Sequence, residues 1–267
     1  MSAIQANHPG APRCGQRGLE TLTLFNMPMN NLSLQETLEA IGRQIDDGVQ
    51  GFAVTPNVDH AVLYDESPEF RQAYHEAAMV LVDGMYIVWA GRLFGKPIKA
   101  KISGSDLIYW LSEYAAQKGY SIFLLGAREG IADKAAKNLV EKYPGLKIAG
   151  TYSPPLGFEK NAVENQKVID LLKGSGADIC FTALGAPKQD LWNWRHYKDA
   201  GAKIYLGVGA SFDFVAGTIQ RAPVWMQRAG LEWTWRIMQE PSRMAHRYLI
   251  RDSKFLLLLW REWRSGW

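Results

Sequence analysis

Short apolar runs with almost no polar interruption recur along this chain, separated by stretches with helical periodicity, and they limit its possible folds more than any other feature. They lie at 20–25 (ETLTLF), 51–55 (GFAVT), 79–82 (MVLV), 120–125 (YSIFLL), 147–151 (KIAGT), 178–183 (DICFTA) and 203–208 (KIYLGV). A strand with one solvated face alternates apolar and polar residues. Several of these runs do not alternate, so they suit parallel strands covered by helices on both faces. The expected class is therefore α/β, a Rossmann-like and mostly parallel sheet with helices on both faces, plus a C-terminal helical appendage.

Local signals mark where helices start. Ser33 and Glu36 have capping-box spacing, Ser67-Pro68 supplies an N-cap followed by a proline at the first helical position, and Pro187 opens a helix after Gly185. The 267 residues divide into a leader at 1–18 expected to be disordered, a Rossmann-like body at 19–217 and an Arg- and Trp-rich appendage at 218–267. A hydrophobic fraction of 47% and a charged fraction of 21% exclude a disordered or fibrous chain. The leader lacks the apolar stretch of a secretory signal, and no segment reaches the roughly 18 apolar residues of a spanning helix. A cytoplasmic protein is expected.

Charge is unevenly placed. Residues 218–267 are net +5 and the rest of the chain is net −2, which points to an anionic partner for the tail. From Pro241 onward, Arg243, Arg247, Arg251, Lys254 and Arg261 fall on one helical stripe, with Ala245, Leu249, Leu256, Leu259, Trp260, Trp263 and Trp267 opposite. Two readings stay open: an interfacial helix on a membrane, or a terminal helix docked on its own body with a solvated basic face. Arg221, Arg228, Arg251, Arg261 and Arg264 are read as solvated or lipid-facing, and Trp225, Trp233 and Trp235 as packing residues.

Ligands of open α/β sheets bind at the carboxyl ends of strands, and here those ends carry polar or glycine-rich turns. Asp83 follows four apolar residues and precedes Gly84, which lets a substrate approach the backbone. Partial desolvation would raise its pKa and suit it to general-base work; the competing reading is an Asp that caps the helix starting near Met85. Gly126 opens GAREG, a turn resembling a phosphate-binding one, although a simple strand-to-helix turn explains its glycines equally well. Gly207-Val208-Gly209 lacks the third glycine of a dinucleotide fingerprint.

The remaining motifs narrow the chemistry by their absence. There is no HExxH, GxSxG or GxxxxGK[ST], and Cys14 and Cys180 have no metal-ligand spacing, which argues against zinc hydrolases, serine hydrolases and P-loop proteins. No cofactor and no metal are expected. Asp-x-Asp, the usual metal clamp for a nucleotide-sugar diphosphate, is also missing, and arginine can take that role because its fork binds phosphate bidentately. Arg and Trp together suggest a single-stranded nucleic-acid binder, but no recognition motif accompanies them and no nucleic-acid partner is expected.

Seven ordered segments then converge on one family. They are TPN (55–57), VDGMYIVWA (82–90), SGSDL (103–107), FLLGA (123–127), LGAPKQD (184–190), GVGASFDFVAGTIQRAPVWMQRAGLEWTWR (207–236) and EPSRMAHRYL (240–249). From Thr55 to Arg247 the chain resembles the WecG/TagA/CpsF glycosyltransferases, glycosyltransferase family 26. The resemblance implies an inverting, metal-independent transferase that moves a hexose or N-acetylhexosamine from a UDP-sugar, of the UDP-N-acetylmannosamine type, to an undecaprenyl-diphosphate-linked acceptor in cell-surface polysaccharide assembly. Donors with glucose or N-acetylmannosaminuronic acid, and a nonenzymatic nucleotide-sensing docking protein, are the alternatives.

By the same resemblance Asp83 is the catalytic base, and Thr55, Asn57 and Gln189 lie in the substrate pocket. Arg236, Arg243 and Arg247 reach the donor diphosphate. Gly84, Gly126 and the Asp106 of SGSDL complete the expected substrate-binding set. The appendage implies peripheral association with the inner face of the cytoplasmic membrane and a switch between a homo-oligomer and an active monomer. Two departures stand out: Asp190 occupies a place where Glu is usual, and His246 a place that is often basic, which leaves open whether His246 or Arg247 contacts phosphate.

Overall fold

The computed structural model describes residues 18–241, 248 and 251–265. The leader, except Gly18, lies outside the described residues, as do Arg243, Ala245, His246, Arg247, Leu249 and Trp267. The chain opens with a two-stranded antiparallel hairpin, β1 (Thr21–Leu24) and β2 (Met27–Asn30). Then follow α1 (Leu34–Asp46), β3 (Gly51–Val54), α2 (Val58–Glu66), α3 (Pro68–Glu76), β4 (Met79–Val80), α4 (Met85–Leu93), α5 (Gly104–Lys118), β5 (Ser121–Gly126), α6 (Ile131–Lys142) and β6 (Lys147–Tyr152). The second half holds α7 (Ala162–Ser175), β7 (Ile179–Ala183), α8 (Lys188–His196), β8 (Ile204–Gly207), α9 (Ser211–Val215), α10 (Val224–Arg228) and α11 (Glu232–Gln239). The last described helix is α12 (Phe255–Arg264).

The main sheet has six strands in the order β4-β3-β8-β7-β5-β6, and each adjacent pair is parallel. Successive residues of each strand enter opposite cores, as the pleat requires. Phe52 and Val54 face one core and Ala53 the other; Cys180 joins the first and Phe181 the second. One layer is built by α2, α3, α4, α7 and α8, the other by α1, α5, α6 and α9. The α/β class read from the apolar runs is the class observed.

The start signals hold as well. Ser33 forms a reciprocal capping box with Glu36, Ser67 caps α3 ahead of Pro68, and Pro187 is the N-cap of α8. The run at 20–25 behaves differently from the others, because β1 pairs only with β2 and stays outside the main sheet. That hairpin instead seals the β4 edge: the Asn30 side chain accepts a hydrogen bond from the Val80 amide at 2.8 Å, and Asn31 accepts one from Lys99 at 2.8 Å. Met-Pro-Met-Asn carries no β-branched residue, which is why β2 has no signal in the sequence.

Neither reading of the tail matches its packing in full. The helix docks on its own body through Phe255 and Leu258, which are 5% and 6% exposed, and the Phe255 ring meets Phe25 edge-on at 5.0 Å. Glu262, one turn on, accepts from the Phe25 amide and from Lys96. The basic side is not free, since Arg251, Lys254 and Arg261 pair with Asp59, Glu66 and Asp65 of α2. The outward face is the apolar one, with Leu256, Leu257, Trp260 and Trp263 exposed. Arg221 is paired too, to Asp106 and Glu232, so it is not lipid-facing, and Trp225 is exposed rather than packed. Truncating Phe255 to Ala should cost about 3 kcal/mol, read as a lower denaturant midpoint and faster cleavage of the tail by protease. An unchanged midpoint and cleavage rate would contradict this docking.

Candidate active site

Because all six strands are parallel, their carboxyl ends lie along one edge of the sheet, and a cleft of about 1160 Å³ runs along that edge. It is lined by Asp83 after β4, Thr55 and Asn57 after β3, Gly207 at the end of β8, Gln189 after β7 and Gly126 at the end of β5. Gly84 and Arg236 also line it. Thr55 and Gly207, 152 positions apart, are therefore brought together by the sheet topology, and α11 adds Arg236 from the tail.

Asp83 does not cap a helix. Gly84 is the N-cap of α4, no side chain caps that end, and Gly84 has φ 113°, a conformation that disfavours any residue with a Cβ. The Asp83 amide donates to the Pro56 carbonyl at 2.8 Å, which ties the end of the β4 segment to the turn after β3. Its partly buried carboxyl is pushed up to about 7, chiefly by burial. Lys101 opposes that rise, Glu232 and Asp106 add to it, and Arg221 opposes it. An aspartate with that proton affinity is half ionised near neutrality, as a general base requires.

Neighbouring residues are held by specific contacts. Thr55 is buried, its hydroxyl donating to the Gly207 carbonyl at 3.4 Å. The Asn57 Oδ1 caps α2 by accepting from the His60 amide, which fixes the side chain and leaves its NH2 group to donate to a ligand. Gln189 is buried, and its Oε1 accepts from the Gly209 amide at 3.1 Å. A Cβ on Gly207 would sit 2.6 Å from the Gln189 Nε2, so this glycine makes room for the glutamine. At Gly126 the demand is also steric: φ is 114° and a Cβ would lie 2.7 Å from the Ala183 carbonyl oxygen. The glycine permits close approach of two strands while its backbone faces the cleft.

Asp106 sits differently from the rest. It is not on the cleft wall; the Arg221 guanidinium binds both its oxygens, with Nη2 to Oδ2 at 3.1 Å, and the Ser103 hydroxyl donates to it. Burial works to raise its carboxyl, but the Arg221 bonds and the Ser103 hydroxyl outweigh that and hold it below the usual carboxylate range. Arg221 also approaches Glu232 at 3.7 Å, so a single guanidinium clasps α5 of the body to the first turn of α11. Arg236, one turn further along α11, lies with its guanidinium over the Phe214 ring at 5.7 Å and faces the cleft. Arg243 and Arg247 lie outside the described residues.

Among the cleft residues that the sequence did not single out, Lys101 and Glu232 bear on the charge of Asp83. Lys101 stands two residues before Ser103, the N-cap of α5, where no spacing rule would single it out. Behind the cleft, Asp190 is buried, neither of its oxygens finds a hydrogen-bond partner, and the His60 Nε2 is 3.9 Å away. Burial, with the Asp59 charge adding, pushes it up to about 7. Among the described residues, no group of three or more His, Cys, Asp or Glu is placed to hold a metal ion.

Asp83 and Asp190 both hold protons in the folded protein that the unfolded chain releases near pH 4. The folded state therefore binds more protons between about pH 4 and pH 7, and stability should fall as pH rises through that window. Asp190→Asn should flatten this decline in denaturant titrations across pH, and Asp83→Asn should add to the effect. A wild-type stability that stays flat or rises from pH 5 to 7 would contradict the raised proton affinities of these two carboxyls.

Comparison with known proteins follows the same lines as this geometry. The chain matches the glycosyl transferase WecG/TagA/CpsF family over residues 22–267. It is 31% identical over 222 residues, 83% of each chain, to the N-acetylglucosaminyldiphosphoundecaprenol N-acetyl-beta-D-mannosaminyltransferase of Bacillus spizizenii. A protein of Bacillus subtilis with the same name is 28% identical over 247 residues, 91% of this chain and 93% of that one. The family match spans nearly the whole length, including the strand ends that line the cleft and the tail residues that line part of it, and the chain belongs to the WecG/TagA/CpsF family of glycosyltransferases.

Proposed function

We propose that the protein transfers N-acetylmannosamine from its UDP-linked form to the N-acetylglucosamine of an undecaprenyl-diphosphate-linked acceptor. The names of the two Bacillus relatives support this sugar and this acceptor over the glucose and uronic-acid alternatives. The observation that carries the chemistry is Asp83, partly exposed on the cleft and pushed up to about 7.

In the proposed step the Asp83 carboxylate accepts the proton of an acceptor hydroxyl as that oxygen attacks the anomeric carbon. The bond from this carbon to UDP breaks on the opposite face, and the configuration inverts. Negative charge that gathers on the departing diphosphate is met by fixed cations. Arg236 and Lys101 line the cleft, and the resemblance adds Arg243 and Arg247 from the tail. Such charges act mainly in the transition state, where negative charge is building on the leaving group. Thr55, Asn57 and Gln189 offer hydroxyl and amide groups to the sugar and nucleotide. Asp106 supports the site at one remove, by holding Arg221.

A lipid-linked acceptor also sets the workplace. Among the described residues no helix is long and apolar enough to cross a membrane. The outward Leu256, Leu257, Trp260 and Trp263 of α12 supply the apolar and indole surface that seats a peripheral protein in headgroups. That surface supports the reading that the protein works peripherally, at the inner face of the cytoplasmic membrane.

The test is transfer from a panel of UDP-sugars to an N-acetylglucosamine-diphosphate lipid. UDP-N-acetylmannosamine should be the preferred donor, and turnover should persist in chelator. Asp83→Asn should keep UDP binding and lose roughly 10² to 10⁴ in turnover. Wild-type kcat/KM should rise with pH through an inflection near 7, as the base loses its proton. Near-normal turnover in a folded Asp83→Asn protein would refute the base, and UDP binding without any transfer would refute the enzyme.

A further inference from the structure

The cleft has two chemically different parts, and the proposed reaction uses only one. Past Asp83 the wall is formed by one face of α4, where Met85, Tyr86, Trp89 and Leu93 follow at helical spacing. Leu256 and Leu259 of α12 form the other side. From Met85 to Leu93 this apolar trough runs about 12 Å at the helical rise of 1.5 Å per residue.

The aromatic part of the trough is fixed in place. The Trp233 Nε1 donates to the Tyr86 hydroxyl at 3.0 Å, and the Tyr86 and Trp89 rings meet edge to face at 5.3 Å. Gly230 lies under Trp89, where a Cβ would come within 2.8 Å of the indole. The outer end is open, with Leu93 63% and Leu256 70% exposed. Contiguous exposed apolar surface marks an interaction site, and here these leucines lead from the reacting carboxylate to the apolar face of α12.

We propose that this trough binds the first isoprene units of the acceptor's polyprenyl chain, a site that rests on the acceptor named above. A lipid-diphosphate-sugar has a polar head and an apolar chain joined end to end. Asp83 stands at the N-terminal end of α4, where polar wall and trough meet. A sugar hydroxyl at Asp83 places the diphosphate beside the cleft cations and sends the chain along α4 toward Leu93. From there it passes alongside Leu256 into the bilayer. The trough thus selects acceptors by their lipid, separately from the sugar that receives the transfer.

Binding to the full-length protein in detergent-free buffer tests this without any sugar transfer, using farnesyl diphosphate and inorganic diphosphate as probes. Wild type should bind the prenylated probe at least about tenfold more tightly, the scale expected from burying part of an isoprenoid chain. Leu93→Ser with Leu256→Ser should erase most of that difference and leave diphosphate binding alone; both side chains are exposed, so the fold should tolerate the change. Trp263→Ser, on the outward face of α12 but not on the cleft wall, should preserve it. Equal affinity for the two probes in wild type would overturn the proposal, as would a loss in Trp263→Ser as large as in the double variant. Failure of sugar transfer with prenyl discrimination intact would reject the donor and acceptor reading while leaving the trough standing.

Discussion

A parallel sheet survives only when both faces are covered, and everything else here follows from meeting that requirement. Helices on each face leave the strand ends as the places where the chain turns in water. Since all six strands point one way, the ends that favour ligands share a single edge. Thr55, Asp83, Gly126 and Gln189 are thus neighbours because of strand direction, while the hydrogen bonds of Thr55 and Gln189 run to Gly207 and Gly209. The glycines of these turns serve packing as much as binding: Gly126 lets two strands approach, and Gly207 makes space for Gln189.

On that edge the charges are arranged to hold one carboxylate near its proton. Burial raises Asp83, Glu232 and Asp106 reinforce the rise, and Lys101 and Arg221 restrain it. Two of these groups belong to the tail region and form part of the clasp that joins Arg221 to Asp106 and Glu232. The clasp gives the tail two tasks with one set of contacts. It fastens α11 to the body, and it carries Arg236 to the cleft. A second set of ion pairs, from Arg251, Lys254 and Arg261 to α2, fixes the far end of the tail and turns its leucines and tryptophans outward.

Much of this could be read from the residues themselves, and the failures have physical causes. Runs such as DICFTA named buried strands because only parallel strands tolerate so few polar residues. Asp83 stood out because a charge directly after an apolar run is costly without a purpose. The tail was harder: a helical stripe shows which residues share a face but not which face meets the body. Phe255 and Leu258 pack inward, while the basic stripe meets acids of α2 that precede it by nearly two hundred residues. Asp106 was expected on the substrate and instead holds Arg221, a partner 115 positions away. Lys101 and Glu232 gave no signal, since their importance comes only from their distance to Asp83 in the folded chain.

A crystal structure with UDP and an N-acetylglucosamine-diphosphate lipid analogue bound tests the central claim most directly, that a proton-poised Asp83 faces the acceptor across a cleft whose cations face the diphosphate. The account predicts an acceptor hydroxyl about 3 Å from the Asp83 carboxylate, with Arg236 on the nucleotide diphosphate. Finding the uridine or its phosphates against Asp83, with the acceptor sugar elsewhere in the cleft, would contradict it.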